Sequence, residues 1–431
     1  MPQRLDTRDA AFEADFTRLL GQKRESSPEV SAVVAAIGAD VIARGDAAVI
    51  DYTARFDRLT LTADSMRISR DEITAAIAAA GPRALEALRF AAGRIRSHHE
   101  RQRPKDDHYV DALGVELGSR WTAIDAVGLY VPGGTAAYPS SVLMNAIPAK
   151  VAGCKRLVMV VPSPDGILNP LVLAAADLAG VDEIYRIGGA QAVFALAHGT
   201  AMIAPVAKIV GPGNAYVAAA KRQVFGMVGI DMIAGPSEVL VIADESANPE
   251  WLAADLLAQA EHDTAAQSLL ITQSPALADA VVSAVEGQLK TLPRADIASA
   301  SWRDHGAVIL VRDLNEAVAL ADRIAAEHLE IVTDQPEALA ARITHAGAMF
   351  LGPHTPEAIG DYVGGSNHVL PTARSARFTS GLGVLDFMKR TSILKCGPEQ
   401  LRALGPAAIA LGEAEGLGAH AKSVAIRLNL G

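Results

Sequence analysis

Residues 155–199 read KRLVMVVPSPDGILNPLVLAAADLAGVDEIYRIGGAQAVFALAHG, and this stretch indicates the fold. Two short apolar runs, RLVMVV and EIYRI, alternate with Ala- and Leu-rich runs of helical length. Strands that alternate with helices are typical of parallel βαβ units. Each strand-like run ends at a Pro or a Gly, which predicts tight turns at the carboxyl ends of the strands. Open α/β sheets bind their ligands at that edge.

The same alternation extends outward in both directions. It begins at Val127 with GLYVP and continues through KIVGPG and MIAGPSEVLVIAD. Upstream, residues 28–56 and the stretch after Ile73 have apolar residues at helical spacing, with a break at Gly81-Pro82. Residues 352–386 are rich in Gly and loop-forming residues, and such loops usually carry function in compact enzymes. The sequence therefore predicts an α/β protein with helices before its sheets.

An internal similarity lies in the second half of the chain. Residues 239–262 read VLVIADESANPEWLAADLLAQAEH, and residues 308–328 read VILVRDLNEAVALADRIAAEH. Each resembles a strand, an acidic turn and a helix that ends in Ala-Glu-His, with a helix start at Asp313 in the second. A true repeat predicts His262 and His328 at equivalent helix ends that face one cleft. The alternative is a chance likeness between Ala-rich helices.

Composition excludes several classes of protein. Of the 431 residues, 50% are hydrophobic, 20% are charged and only 4% are aromatic, which predicts an aliphatic core in a soluble protein. The net charge of −10 argues against nucleic acid as a partner. Two cysteines suit a reducing cytosol, and the charged N-terminus does not resemble a signal peptide. No apolar run approaches the roughly 20 residues that span a membrane, so we expect a cytoplasmic protein.

Metal-binding and acid–base residues are present without a short motif. Gln259 and His262 lie three positions apart and project from one face of a predicted helix. Asp361, His368 and His420 lie in Gly-rich segments, too far away in sequence to establish a cluster. Glu327 and His328 place a carboxylate beside an imidazole, and both groups are general bases in enzymes. The alternative interpretation of that pair is a capped helix end.

A nucleotide site is harder to recognise. No G-x-G-x-x-G follows a predicted strand, but Gly-Gly-Ala-Gln at 188–191 and Gly-Pro-Gly-Asn at 211–214 each lie at a strand-to-helix turn. Backbone amides at such turns bind pyrophosphate, although the glycines also suit ordinary turns. Cys154 precedes a strand and is interpreted as a buried apolar residue rather than a catalytic thiol.

Longer motifs resemble those of the histidinol dehydrogenase family. They are VGLYVPGGTAAYPSSVLMNAIPAKVAG, IGGAQAVFALAHGT, KIVGPGNAYV, AGPSEVLVIAD, LLAQAEHD, AEHLEI, GGSNHVLPT and GLGAHAKSV. They cover nearly the whole chain, in the order and at the spacings of that family.

The resemblance implies two incomplete Rossmann-like parallel-sheet domains, an N-terminal helical arm and a small C-terminal helical domain. The arm is expected at residues 1–24. The first Rossmann-like domain is expected to combine residues 25–128 and 237–386 and to carry most metal and catalytic residues. The second, at 129–236, is expected to contact the dinucleotide, and residues 387–431 are expected to be exchanged in a homodimer.

The resemblance also implies the residues of the site and their roles. It implies one Zn²⁺ per subunit and NAD as cofactors, with L-histidinol oxidised through histidinal to L-histidine, the last step of histidine biosynthesis. The catalytic residues would be Glu327 and His328. The zinc ligands would be Gln259, His262, Asp361 and His420. Substrate contacts would come from these six residues together with Ser237, His368 and Glu415, and dinucleotide contacts from Tyr130, Gln191 and Asn214.

Three other functions are consistent with the same residues. A related zinc- and NAD-dependent dehydrogenase would act on a different small polyol or a sulfonated alcohol. A zinc hydrolase would use Glu327 as its base without a nucleotide. A non-catalytic α/β binding protein would turn over no substrate.

Overall fold

The computed structural model of the protein describes residues 1–21, 28–133, 138–233 and 235–430. The expected arm boundary at 24–25 lies outside these residues. The strands that it describes are β1 (Gln3–Asp6), β2 (Asp107–Val110), β3 (Glu116–Ala123), β4 (Ala126–Tyr130), β5 (Arg156–Val160), β6 (Glu183–Tyr185), β7 (Lys208–Val210), β8 (Gly229–Ile230), β9 (Glu238–Ala243), β10 (Gln267–Thr272), β11 (Ala307–Leu310), β12 (His328–Val332), β13 (Ala348–Leu351) and β14 (Met388–Lys395).

Helices flank these strands, and short 3₁₀ turns occur in the loops. The α-helices are α1 (Phe12–Leu20), α2 (Pro28–Arg44), α3 (Asp46–Asp57), α4 (Ala63–Met66), α5 (Arg70–Ala79), α6 (Pro82–Glu100), α7 (Pro139–Ala152), α8 (Pro170–Ala179), α9 (Gly189–His198), α10 (Ala215–Val224), α11 (Pro249–Ala260), α12 (Pro275–Gln288), α13 (Ala295–His305), α14 (Leu314–Ile324), α15 (Pro336–Ala340), α16 (Glu357–Tyr362), α17 (Pro398–Ala414) and α18 (Gly418–Ala425). The expected break at Gly81-Pro82 separates α5 from α6.

Two parallel sheets form the framework of the molecule. The five-stranded sheet has the order β6-β5-β4-β7-β8, which is the 3-2-1-4-5 order of a Rossmann sheet without its sixth strand. The six-stranded sheet has the order β1-β11-β10-β9-β12-β13, in which the last five strands repeat that order. The expected α/β class with two incomplete Rossmann-like sheets is confirmed.

The internal similarity corresponds to two strand–helix–strand units, β9-α11-β10 and β11-α14-β12. Asp313 accepts hydrogen bonds from the backbone amides of Asn315 and Glu316, as its capping position predicted. His262 follows the end of α11, but His328 is the first residue of β12. The helix-end position expected for His328 is wrong because Ala325 ends α14 in the left-handed conformation, with φ 49°, and the chain then enters a strand.

The helices before β4 pack mainly on the five-stranded sheet. Apolar residues of α2 and α3 join a core with β4, β5 and α9, and those of α5 and α6 join a core with α7 and α8. The segment 28–100 therefore covers both faces of the five-stranded sheet, and Arg94 and His99 of α6 also hydrogen-bond residues 363 and 367. The apolar stripes of its helices pack on the two faces of that sheet.

The N-terminal segment is more than a helical arm. Residues 3–6 form β1, which extends the six-stranded sheet in parallel beside β11. Phe12 and Phe16 of α1 pack with α14 on one face of this sheet, while α11, α12 and α13 cover the other face. Because both faces are covered, β9, β10 and β12 are buried throughout, and the central residues of β9 and β10 are apolar.

The C-terminal segment starts with a strand and continues as helices. β14 pairs antiparallel with β3, which in turn pairs with β2. Helices α17 and α18 pack on each other, and they leave Leu411, Leu417 and Ile426 at 64%, 43% and 60% exposure. Within the described residues, no helix combines the length and apolar character needed to cross a membrane.

Candidate active site

A cavity of about 1650 Å³ lies between the two parallel sheets. On one side it meets the carboxyl edge of the five-stranded sheet, where Tyr130 ends β4 and a Gly-rich turn follows β7. On the other side it meets the amino edge of the six-stranded sheet, where Glu238 begins β9 and His328 begins β12. The two edges bring together residues almost 200 positions apart.

The expected binding edge is right for one sheet and wrong for the other. Glu238, Glu327 and His328 lie at the amino edge of the six-stranded sheet, beside the C-terminal end of α11. A helix C-terminus carries partial negative charge and favours cations, whereas an N-terminus, as at α9 and α10 across the cavity, favours anions. The cavity therefore has one wall suited to a cation and one suited to phosphate.

His328 is 3% exposed and is held as a neutral imidazole. Its Nδ1 lies 3.1 Å from the backbone carbonyl oxygen of Glu238 and 3.2 Å from Oε1 of Gln259. Both neighbouring atoms are acceptors, so Nδ1 carries the proton and Nε2 carries the lone pair. Burial lowers the pKa of His328 to about 3. Nε2 has no hydrogen-bond partner among the described residues, so it is free to accept a proton from a ligand.

Glu327 is 5% exposed and reaches the same cavity. Its Oε2 accepts a hydrogen bond from the backbone N–H of Glu238 at 3.0 Å, and the Ser237 hydroxyl donates a second. Burial raises the pKa of Glu327 well above its ordinary value, and the nearby acids Glu238 and Asp361 raise it further. The carboxyl is a strong base once it is ionised. Ser237, expected to contact substrate, is thus also a partner of Glu327.

Asp361 and His368 lie together on the loop-rich segment. Nδ1 of His368 donates to the backbone carbonyl of Asp361 at 2.9 Å, and Nε2 lies 3.3 Å from the hydroxyl of Ser141. Burial lowers the pKa of His368 to about 4, so its imidazole is neutral. Ser141 was not predicted, because a serine in α7 carries no signal in the sequence that connects it to residue 368.

Of the expected zinc ligands, His262 and Asp361 line the cavity, and Gln259 lies beside His262. Nε2 of Gln259 lies 3.4 Å from Nδ1 of His262. Burial lowers the pKa of His262, with Asp361 acting in the opposite direction, so the imidazole is in the neutral form that metals bind. Burial raises the pKa of Asp361 to about 6. A mixed set of nitrogen and oxygen donors beside buried acids fits a divalent cation such as zinc.

A second group of possible ligands overlaps with this set. His328, Glu357 and Asp361 each offer one atom, and these atoms lie within 4.8 Å of one another. Glu357 is 2% exposed, and its Oε2 has no hydrogen-bond partner among the described residues. Sequence reasoning missed Glu357, although its spacing of four from Asp361 places both on one face of α16.

Glu415 and His420 are not brought to this cavity. Glu415 directly follows α17 and His420 lies in α18, and neither is among the described residues that line the cavity. His420 is exposed to solvent. The expected fourth zinc ligand and one expected substrate contact are therefore absent from the site as a single chain forms it.

The three expected dinucleotide contacts line the opposite wall. The hydroxyl of Tyr130 accepts a hydrogen bond from the N–H of Gly189, where α9 starts. Oε1 of Gln191 is buried and has no hydrogen-bond partner among the described residues, so it is open to a donor from a ligand. Asn214 caps α10 by accepting from the amides of Tyr216 and Val217, which leaves its NH₂ group free for other contacts.

The Gly211 turn requires glycine. Gly211 has φ +112°, and a Cβ there would lie 2.1 Å from the carbonyl oxygen of Tyr130.

The two thiols lie outside the cavity. Cys154 is buried, and burial raises the pKa of its thiol to about 11, whereas Cys396 is exposed. Neither is among the described residues that line the cavity.

Comparison with known proteins identifies the family. The histidinol dehydrogenase family model matches residues 20–428. The chain is 71% identical over 430 residues to histidinol dehydrogenase of Bradyrhizobium diazoefficiens, covering 100% of both chains. It is 70% identical over 431 residues to that of Rhizobium meliloti, covering 100% of this chain and 99% of the relative.

A solved structure agrees with the sequence comparison. The crystal structure of histidinol dehydrogenase from Elizabethkingia anophelis superposes with a TM-score of 0.95 at 37% identity, covering 99% of this chain and 98% of the other. The chain therefore belongs to the histidinol dehydrogenase family of oxidoreductases.

Proposed function

We propose that this protein oxidises L-histidinol through histidinal to L-histidine, with two NAD and one water consumed and two NADH and three protons formed. One observation carries the proposal. A neutral imidazole with a free Nε2, that of His328, and the carboxyl of Glu327 lie in one cavity between a cation-favouring wall and a phosphate-favouring wall. An alcohol oxidation followed by hydration of an aldehyde needs two such bases.

In the alcohol step, His328 takes the hydroxyl proton of the substrate on Nε2 as a hydride leaves its hydroxymethyl carbon. The Nδ1–H bond to the Glu238 carbonyl holds the ring in the required tautomer. The aldehyde remains in the cavity between the two steps.

In the aldehyde step, Glu327 takes a proton from the water that attacks the carbonyl carbon. The raised pKa of this buried carboxyl makes it a better base for water than a solvated carboxylate. His328 returns its first proton to the carbonyl oxygen as the hydrate forms, and it then takes a hydroxyl proton of the hydrate as the second hydride leaves. The two proton acceptors are adjacent in sequence. The start of β12 therefore positions the bases for both oxidation steps.

The proposal assigns Gln259, His262, Asp361 and His420 to one zinc ion per subunit. Bound zinc would supply a positive charge that orients the imidazole and amino nitrogens of histidinol. Ser237, His368 and Glu415 would contact the substrate, and the buried carboxyls around the site favour a cationic amino alcohol. Bound NAD would supply the hydride acceptor, with contacts to Tyr130, Gln191 and Asn214.

The proposal also includes a homodimer in which residues 387–431 enter the partner's site. His420 is exposed on α18, and this segment displays apolar side chains such as Leu411 and Ile426 to solvent. Contiguous exposed apolar residues commonly mark an interface between proteins. Exchange of this segment would supply Glu415 and His420, which no single chain brings to its own cavity.

The two parallel sheets would belong to two domains with different roles. Residues 129–236 would form the dinucleotide-contacting domain and residues 237–386 most of the catalytic domain, with residues 1–24 as an N-terminal arm. Because residues 28–100 pack on the five-stranded sheet, we assign them to the dinucleotide-contacting domain. The protein would work in the cytoplasm, on a small molecule, without nucleic acid or membrane as a partner.

The test is a count of products. Zinc-loaded protein is incubated with L-histidinol and NAD, and NADH formed is divided by histidinol consumed. Two NADH per histidinol is the expected result, and one would indicate a simple alcohol dehydrogenase. No NADH with histidinol, but NADH with another polyol or a sulfonated alcohol, would favour the related dehydrogenase. Hydrolysis without NADH would favour a zinc hydrolase, and no turnover at all a binding protein.

A further inference from the structure

The cavity continues beyond the dinucleotide contacts to a pocket end walled by α2 and α3. Asp57, the last residue of α3, lines it and is 9% exposed. Its Oδ2 is buried and has no hydrogen-bond partner among the described residues, while the backbone N–H of Ser163 donates to this carboxyl. A buried acceptor without a donor costs about 1–3 kcal/mol. Such a group, on a residue in the wall of a cavity, indicates a ligand that brings a donor.

Aromatic and cationic groups surround this acceptor. The rings of Tyr52 and Phe56 stack with centroids 5.8 Å apart, and both residues line the cavity. The guanidinium of Arg55 lies 5.3 Å from the Phe56 ring centroid, and Arg222 of α10 lines the cavity as well. The carboxyl of Asp57 suits the hydroxyl groups of a ribose, and the aromatic rings suit a purine. The two guanidinium groups suit the phosphates of the same nucleotide.

The two ends of the cavity belong to different sheets. The core formed by α2, α3, α9 and α10 packs on the five-stranded sheet, whereas Glu327 and His328 lie on the six-stranded sheet. The nicotinamide has to reach the reacting carbon beside His328. The other half of an extended dinucleotide therefore runs past Tyr130 and Gln191 toward Asp57.

We propose that Asp57 accepts hydrogen bonds from the ribose hydroxyls in the adenosine half of the dinucleotide. This contact would select NAD over its 2′-phosphorylated form. This rests on the proposed function, which supplies the dinucleotide. A 2′-phosphate would replace one hydroxyl donor by a dianion beside a carboxylate, which is both a lost hydrogen bond and a repulsion. Burial raises the pKa of Asp57, and the hydrogen bond from the Ser163 N–H offsets only part of that effect.

The test measures binding without catalysis. ADP-ribose and 2′-phospho-ADP-ribose are titrated calorimetrically into the zinc-loaded protein and into Asp57→Asn. The original protein should bind ADP-ribose at least tenfold more tightly than the phosphorylated compound. Asp57→Asn should bind ADP-ribose about tenfold more weakly and discriminate less than threefold, because Asn retains the shape but not the charge.

Asp51→Asn is the matched control. Asp51 lies on the same helix, its side chain is 64% exposed, it pairs with Arg44, and it is not among the described residues that line the cavity. This variant should bind both compounds as the original protein does.

The outcomes separate the two proposals. Equal binding of both compounds by the original protein contradicts the inference without any variant, and so does a folded Asp57→Asn that keeps full discrimination. In either case two NADH per histidinol would leave the proposed function intact. If neither ADP-ribose nor NADH binds the original protein, the proposed function fails as well.

Discussion

Nδ1 of His328 lies 3.1 Å from the backbone carbonyl oxygen of Glu238, at the point where β12 and β9 begin side by side. The carbonyl accepts the Nδ1 proton and leaves Nε2 as the base that faces the cavity. Parallel pairing of the two strands fixes this contact, because His328 is in register with Val239. The tautomer of this imidazole thus follows from sheet register.

Glu327→Gln should slow oxidation of the aldehyde more than oxidation of the alcohol, because Gln cannot take a proton from water. We expect a loss of about 10²-fold or more in NADH formation from histidinal. Gln still accepts from the Glu238 N–H, so the fold should persist. The measurement compares single-turnover rates from histidinol and from histidinal. Equal slowing of both steps would mean that Glu327 only supports the structure of the site.

Chelation should abolish activity, and zinc should restore it, because the proposed zinc ion would orient the substrate. His262→Asn should lower zinc content measured by atomic emission, because one donor of the set is lost. His108→Asn, an exposed histidine on β2, should retain zinc like the original protein. Full activity in protein verified to be free of metal would end the zinc proposal.

The two thiols should be dispensable for chemistry. The double variant Cys154→Ala, Cys396→Ala should produce two NADH per histidinol, because the aldehyde step is assigned to Glu327. Cys154 is 4% exposed, so the variant should lose about 1 kcal/mol of stability through the lost packing. Cys396→Ala alone should lose none. A folded double variant that accumulates histidinal would require a covalent thiohemiacetal route.

Glu330→Gln should stabilise the protein at pH 8 but not at pH 5. Glu330 is 1% exposed, and its burial raises the pKa of its carboxyl. The nearby Asp255 raises the pKa of Glu330 further, and burial raises the pKa of Asp255 itself to about 6. Groups whose folded pKa is raised stabilise the fold below their unfolded pKa of about 4, and this contribution disappears as pH rises through the folded pKa. Replacement by neutral Gln removes the buried charge at high pH.

We expect a gain of about 1 kcal/mol at pH 8 in the free energy of unfolding by urea, the usual size of a single-residue effect. Glu337→Gln, at an exposed position on α15, should change little at either pH. Parallel pH–stability curves for Glu330→Gln and the original protein would show that this carboxyl is not strained by burial.

Exchange of the C-terminal segment predicts complementation between inactive variants. His262→Asn and His420→Asn are unfolded together and refolded as a mixture. If His420 serves the partner's site, a mixed dimer has one site with both lesions and one with neither. Random pairing then returns roughly a quarter of the original activity. No recovery, with mixed dimers confirmed by affinity tags, would rule out the exchanged arrangement.

The sequence by itself determined the class of fold and the two Gly-rich turns. Apolar runs that alternate with Ala-rich helices allow only strands covered on both faces, so parallel sheets follow from pattern alone. Glycine also suits the turns that follow these strands, because it adopts a positive φ without strain, as at Gly211 with φ +112°. Such local rules do not depend on distant partners, which is why they are legible in one chain.

Only the tertiary structure decided which edges of the two sheets meet. The sequence indicated the carboxyl edges, yet Glu327 and His328 lie at an amino edge, because Ala325 ends α14 early and β12 begins at His328. The sequence also did not specify which sheet the helices of residues 28–100 cover, since an apolar helix stripe does not specify its partner. Burial by distant elements likewise keeps His328 neutral and leaves Oδ2 of Asp57 without a hydrogen-bond partner among the described residues. No sequence pattern encodes such a pKa, because it depends on what packs around the group.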